Sequence, residues 1–207
     1  VSWWEDRVVP HLVEATCGTG AVRWHRRPVV AGVHGTVLEI GFGSGLNVPL
    51  YPDAVRRVHA VEPSDRAWAL AADRLAASPV EVVRSGLDGQ RLEEPDDSFD
   101  CALVTFSLCT IPDQRAALAE VRRVLAPGGT LHFLEHGLSP DPGVVRWQRR
   151  LEPVQRRLGG GCHLTRDPVA DLEATGFEVR SLQQEYLRGP RVARPWAHLS
   201  RGTATAT

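Results

Sequence analysis

Val37-Leu38-Glu39-Ile40-Gly41-Phe42-Gly43-Ser44-Gly45-Leu46-Asn47 is the stretch that decides the fold. An apolar run carrying one acid ends in three alternating glycines, and a new segment then begins. The pattern predicts a buried strand, a tight turn that a ligand can approach closely, and the start of a helix. Such a turn leaves backbone N–H groups free at a helix N-terminus, where polar or charged ligand groups bind. A nucleotide site is the first expectation. The dinucleotide fingerprint requires G-x-G-x-x-G, which with Gly41 and Gly43 in place puts its third glycine at Leu46 instead of Gly45. Glu39, inside the strand, also lies outside that pattern. A purely structural glycine turn remains open at this point.

The segments that follow alternate. Val58 to Val61 reads as a second strand ending in Glu62-Pro63, about 20 residues past the glycine turn. A carboxylate there accepts hydrogen bonds from ribose hydroxyls in doubly wound folds; the plainer alternative is a surface acid before a turn. Ser64 caps a helix running through Leu75, and Val80 to Val83 is a third strand. Asp88-Gly89 follows it, either holding an adenine edge (the acid accepting from the amino group, the Gly89 N–H donating) or forming an ordinary Asp-Gly turn. Ser98 to Val104 is a fourth strand, apolar enough for the centre of a parallel sheet. Thr105-Phe106-Ser107-Leu108-Cys109 leaves its C-terminal edge, where open α/β sheets bind ligands. Asp113 opens a helix, Thr130 to Leu134 is strand five, a helix spans Asp167 to Thr175, and strands cover Phe177 to Tyr186 and His198 to Ala204, the last a candidate antiparallel one. Strands alternating with helices predict an α/β fold, a doubly wound, mostly parallel seven-stranded sheet with helices on both faces.

Two segments flank this frame. Residues 1–34 read as a helical flap, interrupted at Pro10 and carrying Arg23, Arg26 and Arg27. Those arginines are either a solvated face or a source of one guanidinium for a cofactor carboxylate. Residues 138–166, with the basic, aromatic run Trp147 to Leu158, are too long for a plain connection and read as a lid. At 207 residues the chain is expected to be a single domain, 1–207. A net charge of −1 gives no reason to expect nucleic acid as a partner. No run of about 18 apolar residues occurs, so no integral membrane segment is expected. Cys17, Cys101, Cys109 and Cys162 are scattered without C-x-x-C, which favours reduced cytoplasmic thiols over a disulfide framework or zinc site, and no metal is expected. Composition leaves the oligomeric state open.

Glu39-x-Gly41-x-Gly43-x-Gly45, Glu62, Asp88, Ser98-Phe99-Asp100 and Leu125-Ala126-Pro127-Gly128-Gly129 occur in order. Together they resemble the class I S-adenosylmethionine (SAM) methyltransferases, a Rossmann-like family, over roughly residues 35–137. Within it the chain is similar to the branch of ubiquinone and menaquinone C-methyltransferases. Glu135-His136-Gly137, Trp147-Gln148, Gly161-Cys162-His163-Leu164-Thr165-Arg166 and Leu172-Glu173 resemble a narrower group, the mammalian membrane-associated alkyl-thiol methyltransferases and their bacterial relatives. Leu87 stands where the family has a glycine before its adenine-binding acid.

The resemblance implies a SAM-dependent methyltransferase, with S-adenosylhomocysteine as product and a small molecule as methyl acceptor. It implies a cofactor site at Glu39, Gly41, Gly43, Gly45, Asn47, Glu62, Pro63, Asp88, Gly89 and Thr105, and an acceptor site at Phe106, Ser107, Cys109 and His163. In-line transfer from a sulfonium needs mainly alignment at about 3–3.5 Å, and no catalytic triad is visible. His136 is the candidate general base, with a packed, hydrogen-bonded histidine as the alternative. A thiol is the first acceptor expected, because a few per cent of it is already thiolate at neutral pH and a nearby sulfonium favours that form. Carbon, oxygen or nitrogen methylation of a quinone precursor, phospholipid headgroup or secondary metabolite is the second reading. A binding module that kept the fold and lost transfer is the third.

Overall fold

A computed structural model describes residues 3–206. One seven-stranded sheet carries the fold, in the order β3-β2-β1-β4-β5-β7-β6. The strands are β1 (Gly35–Ile40), β2 (Val55–Val61), β3 (Glu81–Gly86), β4 (Phe99–Thr105), β5 (Leu125–His136), β6 (Phe177–Tyr186) and β7 (His198–Ala206). The first five pair in parallel, and β7 runs antiparallel between β5 and β6. The chain order reverses beside β1, so β1 and β4 flank the crevice where such sheets bind ligands.

Both faces of the sheet are covered. Helices α1 (Trp3–Arg7), α2 (Val9–Cys17) and α3 (Gly20–Val30) precede β1. Val29 and Val30 of α3 pack with Val37, Val58, Cys101, Leu103 and Leu134. The alternate residues Leu38, Ile40, Ala102, Val104, Leu131 and Phe133 pack the opposite way, against Leu118, Val121 and Val124 of α6 (Gln114–Val124) and Leu172 of α8 (Pro168–Ala174). Strands buried on both faces read as continuous apolar runs, which is how β1 and β4 read.

Local chemistry sets the helix starts. Ser64 accepts from the Ala67 N–H ahead of α4 (Asp65–Leu70), Asp113 caps α6, and Asp167 caps α8. The helix expected through Leu75 breaks at Ala71 into α4 and α5 (Ala72–Ala76). The N-terminal helix divides at Val8, with Pro10 inside the first turn of α2. The helix expected after the glycine turn shrinks to one 3-10 turn, Val48–Leu50, because Pro49 brings no N–H and Pro52 disfavours helical backbone at Tyr51. Residues 138–166 contain a 17-residue helix, α7 (Pro142–Leu158), capped by Asp141, and a short helix α9 (Arg194–Ala197) leads into β7. Gln148 of α7 is fully buried, accepting from the Ser139 N–H and donating to the Gly137 and Pro195 carbonyls at 3.0–3.1 Å.

Candidate active site

The three glycines of the turn all have positive φ, a conformation that costs other residues energy. A Cβ on Gly41 would collide with the Ser107 hydroxyl, and one on Gly45 would press on Ala71 and Phe42 at 3.1–3.2 Å. A Cβ on Gly43 meets nothing nearer than the Gly41 carbonyl at 4.0 Å. Gly41 and Gly45 serve packing, and Gly43 faces open space.

Glu62 holds this turn in place. Its buried carboxylate accepts from the N–H of Gly43 and from that of Ser64, both at 2.7 Å. Burial raises its pKa, opposed by those two bonds. Each oxygen keeps a second lone pair for a ligand hydroxyl. Pro63 beside it is exposed. Asp88 is exposed, and its Oδ1 accepts from the backbone and side chain of Gln90. It lines a cleft of about 870 Å³ with Val61, Arg84 and Leu87, whereas Gly89 is buried against Ile40. Asp88 therefore lies along the ends of β2 and β3, outside the cluster around Glu62 and Gly43.

The second cluster sits across β1 and β4. Asn47 donates to Glu39 Oε1 at 2.9 Å and to Thr105 Oγ1 at 3.0 Å, and the Tyr51 hydroxyl donates to Glu39 Oε2. Burial pushes the Glu39 carboxyl up to about 7, against the opposing hydrogen bonds of Tyr51 and Asn47. Of the three arginines in α3, only Arg26 points inward. Its Nη1 donates to Asn47 Oδ1 at 3.0 Å and Thr105 Oγ1 at 2.7 Å, and its guanidinium lies over the Phe106 ring. Arg26 is 4% exposed, its Nε has no partner, and no carboxylate pairs with it among the described residues. A buried, unpaired guanidinium is costly and is a ready site for an anionic ligand group.

Helix α2 closes on the same turn. Glu14 pairs with Arg74 at 2.5 Å and accepts from the Ser44 hydroxyl, while Arg74 donates to the Ser44 carbonyl at 2.8 Å. Sequence reading missed Glu14 and Tyr51, since nothing local marks either one.

Beyond β4, Phe106 adopts φ 55° and its ring stacks over His136. The Ser107 and Leu108 N–H groups donate to Glu135 Oε1, at 2.8 and 3.2 Å. Burial lifts Glu135 to about 7. His136 Nε2 lies 3.1 Å from Cys162 Sγ, and its Nδ1 is buried without a partner. Cys109 and Cys162 are both buried, and their sulfurs and the His136 ring nitrogen lie within 4.8 Å of one another. Hydrogen bonds from Cys109 and His136 draw the Cys162 thiol well down, while Cys162 and burial push Cys109 up. His136 thus engages Cys162 through Nε2 and leaves Nδ1 unengaged. Two of the four cysteines that look scattered in sequence, Cys109 and Cys162, converge here across 53 residues.

The Gly-Cys-His-Leu-Thr-Arg segment braces α7 against the loop after β4. His163 Nδ1 meets Glu152 of α7 at 2.9 Å, and the His163 N–H donates to the Cys109 carbonyl at 2.8 Å. The Thr165 N–H donates to the same Glu152, and Arg166 donates to the carbonyls of Leu108, Ile111 and Pro112. His163 thus touches the post-β4 loop through its backbone and faces α7 with its ring.

A family model described as a methyltransferase domain matches residues 38–133. The thiol S-methyltransferase TMT1B of Rattus norvegicus is 36% identical over 154 residues, covering 72% of this chain and 62% of that protein. A phosphatidylethanolamine N-methyltransferase of Cereibacter sphaeroides is 32% identical over 140 residues, covering 65% of this chain and 68% of that protein. A SAM-dependent methyltransferase structure from Thermotoga maritima superposes with a TM-score of 0.67 at 21% identity, covering 95% of this chain and 94% of that one, which speaks for the fold alone. The seven-stranded, mostly parallel sheet agrees with these matches. The chain belongs to the S-adenosylmethionine-dependent methyltransferases.

Proposed function

We propose that this protein moves the methyl group of SAM to the sulfur of a small, fairly apolar thiol. The residues present fit the cofactor. Gly43 leaves space beside the turn, Glu62 retains acceptor capacity for ribose hydroxyls, and Arg26 offers an unpartnered Nε to the methionine carboxylate. Glu39, Gly41, Gly45, Asn47 and Thr105 hold this frame, and Asp88 with Gly89 is the adenine end. SAM supplies an electrophilic methyl on a sulfonium. The protein's task is to hold the acceptor in line with it and keep water out. Residues 1–34 and 138–166 would form flap and lid of this single domain.

The observation that carries the thiol reading is the 36% identity to a thiol S-methyltransferase over 154 residues. Phe106, Ser107 and Cys109, just beyond β4, would line the acceptor end, and their side chains suit a soft, apolar acceptor. A thiol also needs no strong base, and His136 already faces Cys162. N-methylation of a phospholipid headgroup is the second reading, favoured by the Cereibacter relative. The test is a panel of alkyl and aryl thiols, phenols, amines, a demethylated quinone and phosphatidylethanolamine vesicles, each with labelled SAM. Turnover confined to thiols is expected. Transfer only to carbon, oxygen or nitrogen would overturn the reading, and tight SAM binding with no transfer to any acceptor would point to a binding module.

A further inference from the structure

We infer that Cys109, His136 and Cys162 form a binding site for one zinc ion, whose open fourth position takes the sulfur of the acceptor. This rests on the thiol reading above. The geometry is the argument. Three donor atoms, two thiol sulfurs and one imidazole nitrogen, lie within 4.8 Å of one another, with His136 Nε2 at 3.1 Å from Cys162 Sγ. Tetrahedral zinc with bonds of about 2.3 Å to sulfur and 2.0 Å to nitrogen holds neighbouring ligand atoms about 3.5–3.8 Å apart. The trio therefore reaches zinc geometry through shifts of about an ångström or less. Thiolate and imidazole are the donors that select zinc among common divalent ions. Three protein ligands with a vacant position is the pattern of catalytic zinc, whereas structural zinc has four.

The position suits this role. Cys109 lies just beyond β4 and His136 ends β5, at the sheet edge that carries the cofactor cluster. The Phe106 ring stacks with His136 and also lies beneath the Arg26 guanidinium. Cys162 is set by Gly160 and Gly161, both at positive φ, and by the His163 N–H bond to the Cys109 carbonyl. The brace between lid and post-β4 loop thereby fixes two of the three ligands relative to each other.

The chemistry balances without a redox partner. The acceptor thiol binds zinc and gives its proton to solvent. A lone pair of the bound thiolate attacks the SAM methyl. The new S–CH3 bond forms as the bond from methyl to sulfonium breaks, and that electron pair neutralises the cofactor sulfur. The product thioether is neutral and a weaker ligand, so it leaves.

Zinc is measured on the full chain purified under reducing conditions and dialysed against metal-free buffer. About one equivalent per chain is expected, falling at least fivefold in Cys109→Ser and Cys162→Ser and persisting in Cys17→Ser. Calorimetric binding of S-adenosylhomocysteine shows whether each variant is folded. Cobalt replacing zinc is expected to give sulfur-to-cobalt charge-transfer absorption that changes on adding an alkyl thiol and not on adding its methyl thioether. Metal content no higher than in the Cys109→Ser/Cys162→Ser double variant overturns the inference. So does a Cys109–Cys162 disulfide in protein isolated without reductant, or full thiol turnover by metal-free protein. Metal bound with no thiol transfer would leave the site standing and sink the thiol reading alone.

Discussion

Replacing Arg26 by methionine tests the proposed contact between its guanidinium and the cofactor's carboxylate. In the free protein Arg26 is buried, its charge unpaired, and its bonds go to the neutral groups of Asn47 and Thr105. Exchanging such a charge for an apolar chain of similar length is often neutral or stabilising. Both bonds are lost, but Thr105 Oγ1 keeps its donor in Asn47 Nδ2, so the cost is mainly that of leaving Asn47 Oδ1 unpaired, about 1 kcal/mol. The stability of Arg26→Met is therefore expected within about 1 kcal/mol of the parent. Ligand binding behaves differently. A charge-assisted bond to a carboxylate contributes about 1.5–3 kcal/mol, so S-adenosylhomocysteine should bind roughly 10- to 150-fold more weakly. 5′-Methylthioadenosine lacks the amino acid portion and should lose less than about twofold. Isothermal calorimetry of both ligands on both proteins gives the four constants. Equal weakening of the two ligands, or unchanged S-adenosylhomocysteine affinity, would refute the assignment of Arg26 to the carboxylate.

Other substitutions follow from the same geometry. Gly43→Ala meets open space but must hold φ +61°, which costs about 1–2 kcal/mol, so the fold survives and S-adenosylhomocysteine affinity falls. Gly41→Ala adds the collision with Ser107 to a similar strain, and should lower the melting temperature further than Gly43→Ala does. Glu39 is protonated more readily folded, near 7, than unfolded, near 4.5. Its contribution to stability is therefore highest below about pH 4.5 and declines as pH rises towards 7, and Glu39→Gln should flatten that part of the stability–pH curve measured by urea unfolding. Gln148→Leu strips partners from the Ser139 N–H and the Gly137 and Pro195 carbonyls, and should cost about 3 kcal/mol by the same method. An unchanged unfolding midpoint would show that solvent replaces those bonds.

Much of the frame was legible because its signals are local. The apolar runs of β1 and β4, the caps Ser64, Asp113 and Asp167, and the glycine turn each depend on a few neighbouring residues. The length of β5 was not, because the strand begins at Leu125 opposite Phe99, and the Pro-Gly-Gly stretch sits in a bulge before pairing resumes at Thr130. A Pro-Gly-Gly run reads as a turn when its partner strand is unknown. Arg26 could not be told from Arg23 and Arg27, because the direction of a helix face depends on where the sheet lies. The Cys109–His136–Cys162 cluster was invisible for a related reason. Its members come from the loop after β4, the end of β5 and the segment following α7, so only the tertiary fold brings them together.

The latch of Glu14 onto Ser44 and Arg74 has a consequence in time. Helices α2 and α3 carry that latch and Arg26, so on the proposed reading a ligand held by Arg26 would depart only after the N-terminal helices lift. Departure would then be a step whose half-life is set by the latch, and a ligand of modest affinity would reside long enough to outlast many visits by the acceptor. The Glu14–Arg74 pair is about a quarter exposed on each side chain, so added salt screens it more than the buried contacts beneath. Stopped-flow release of S-adenosylhomocysteine should accordingly quicken with ionic strength.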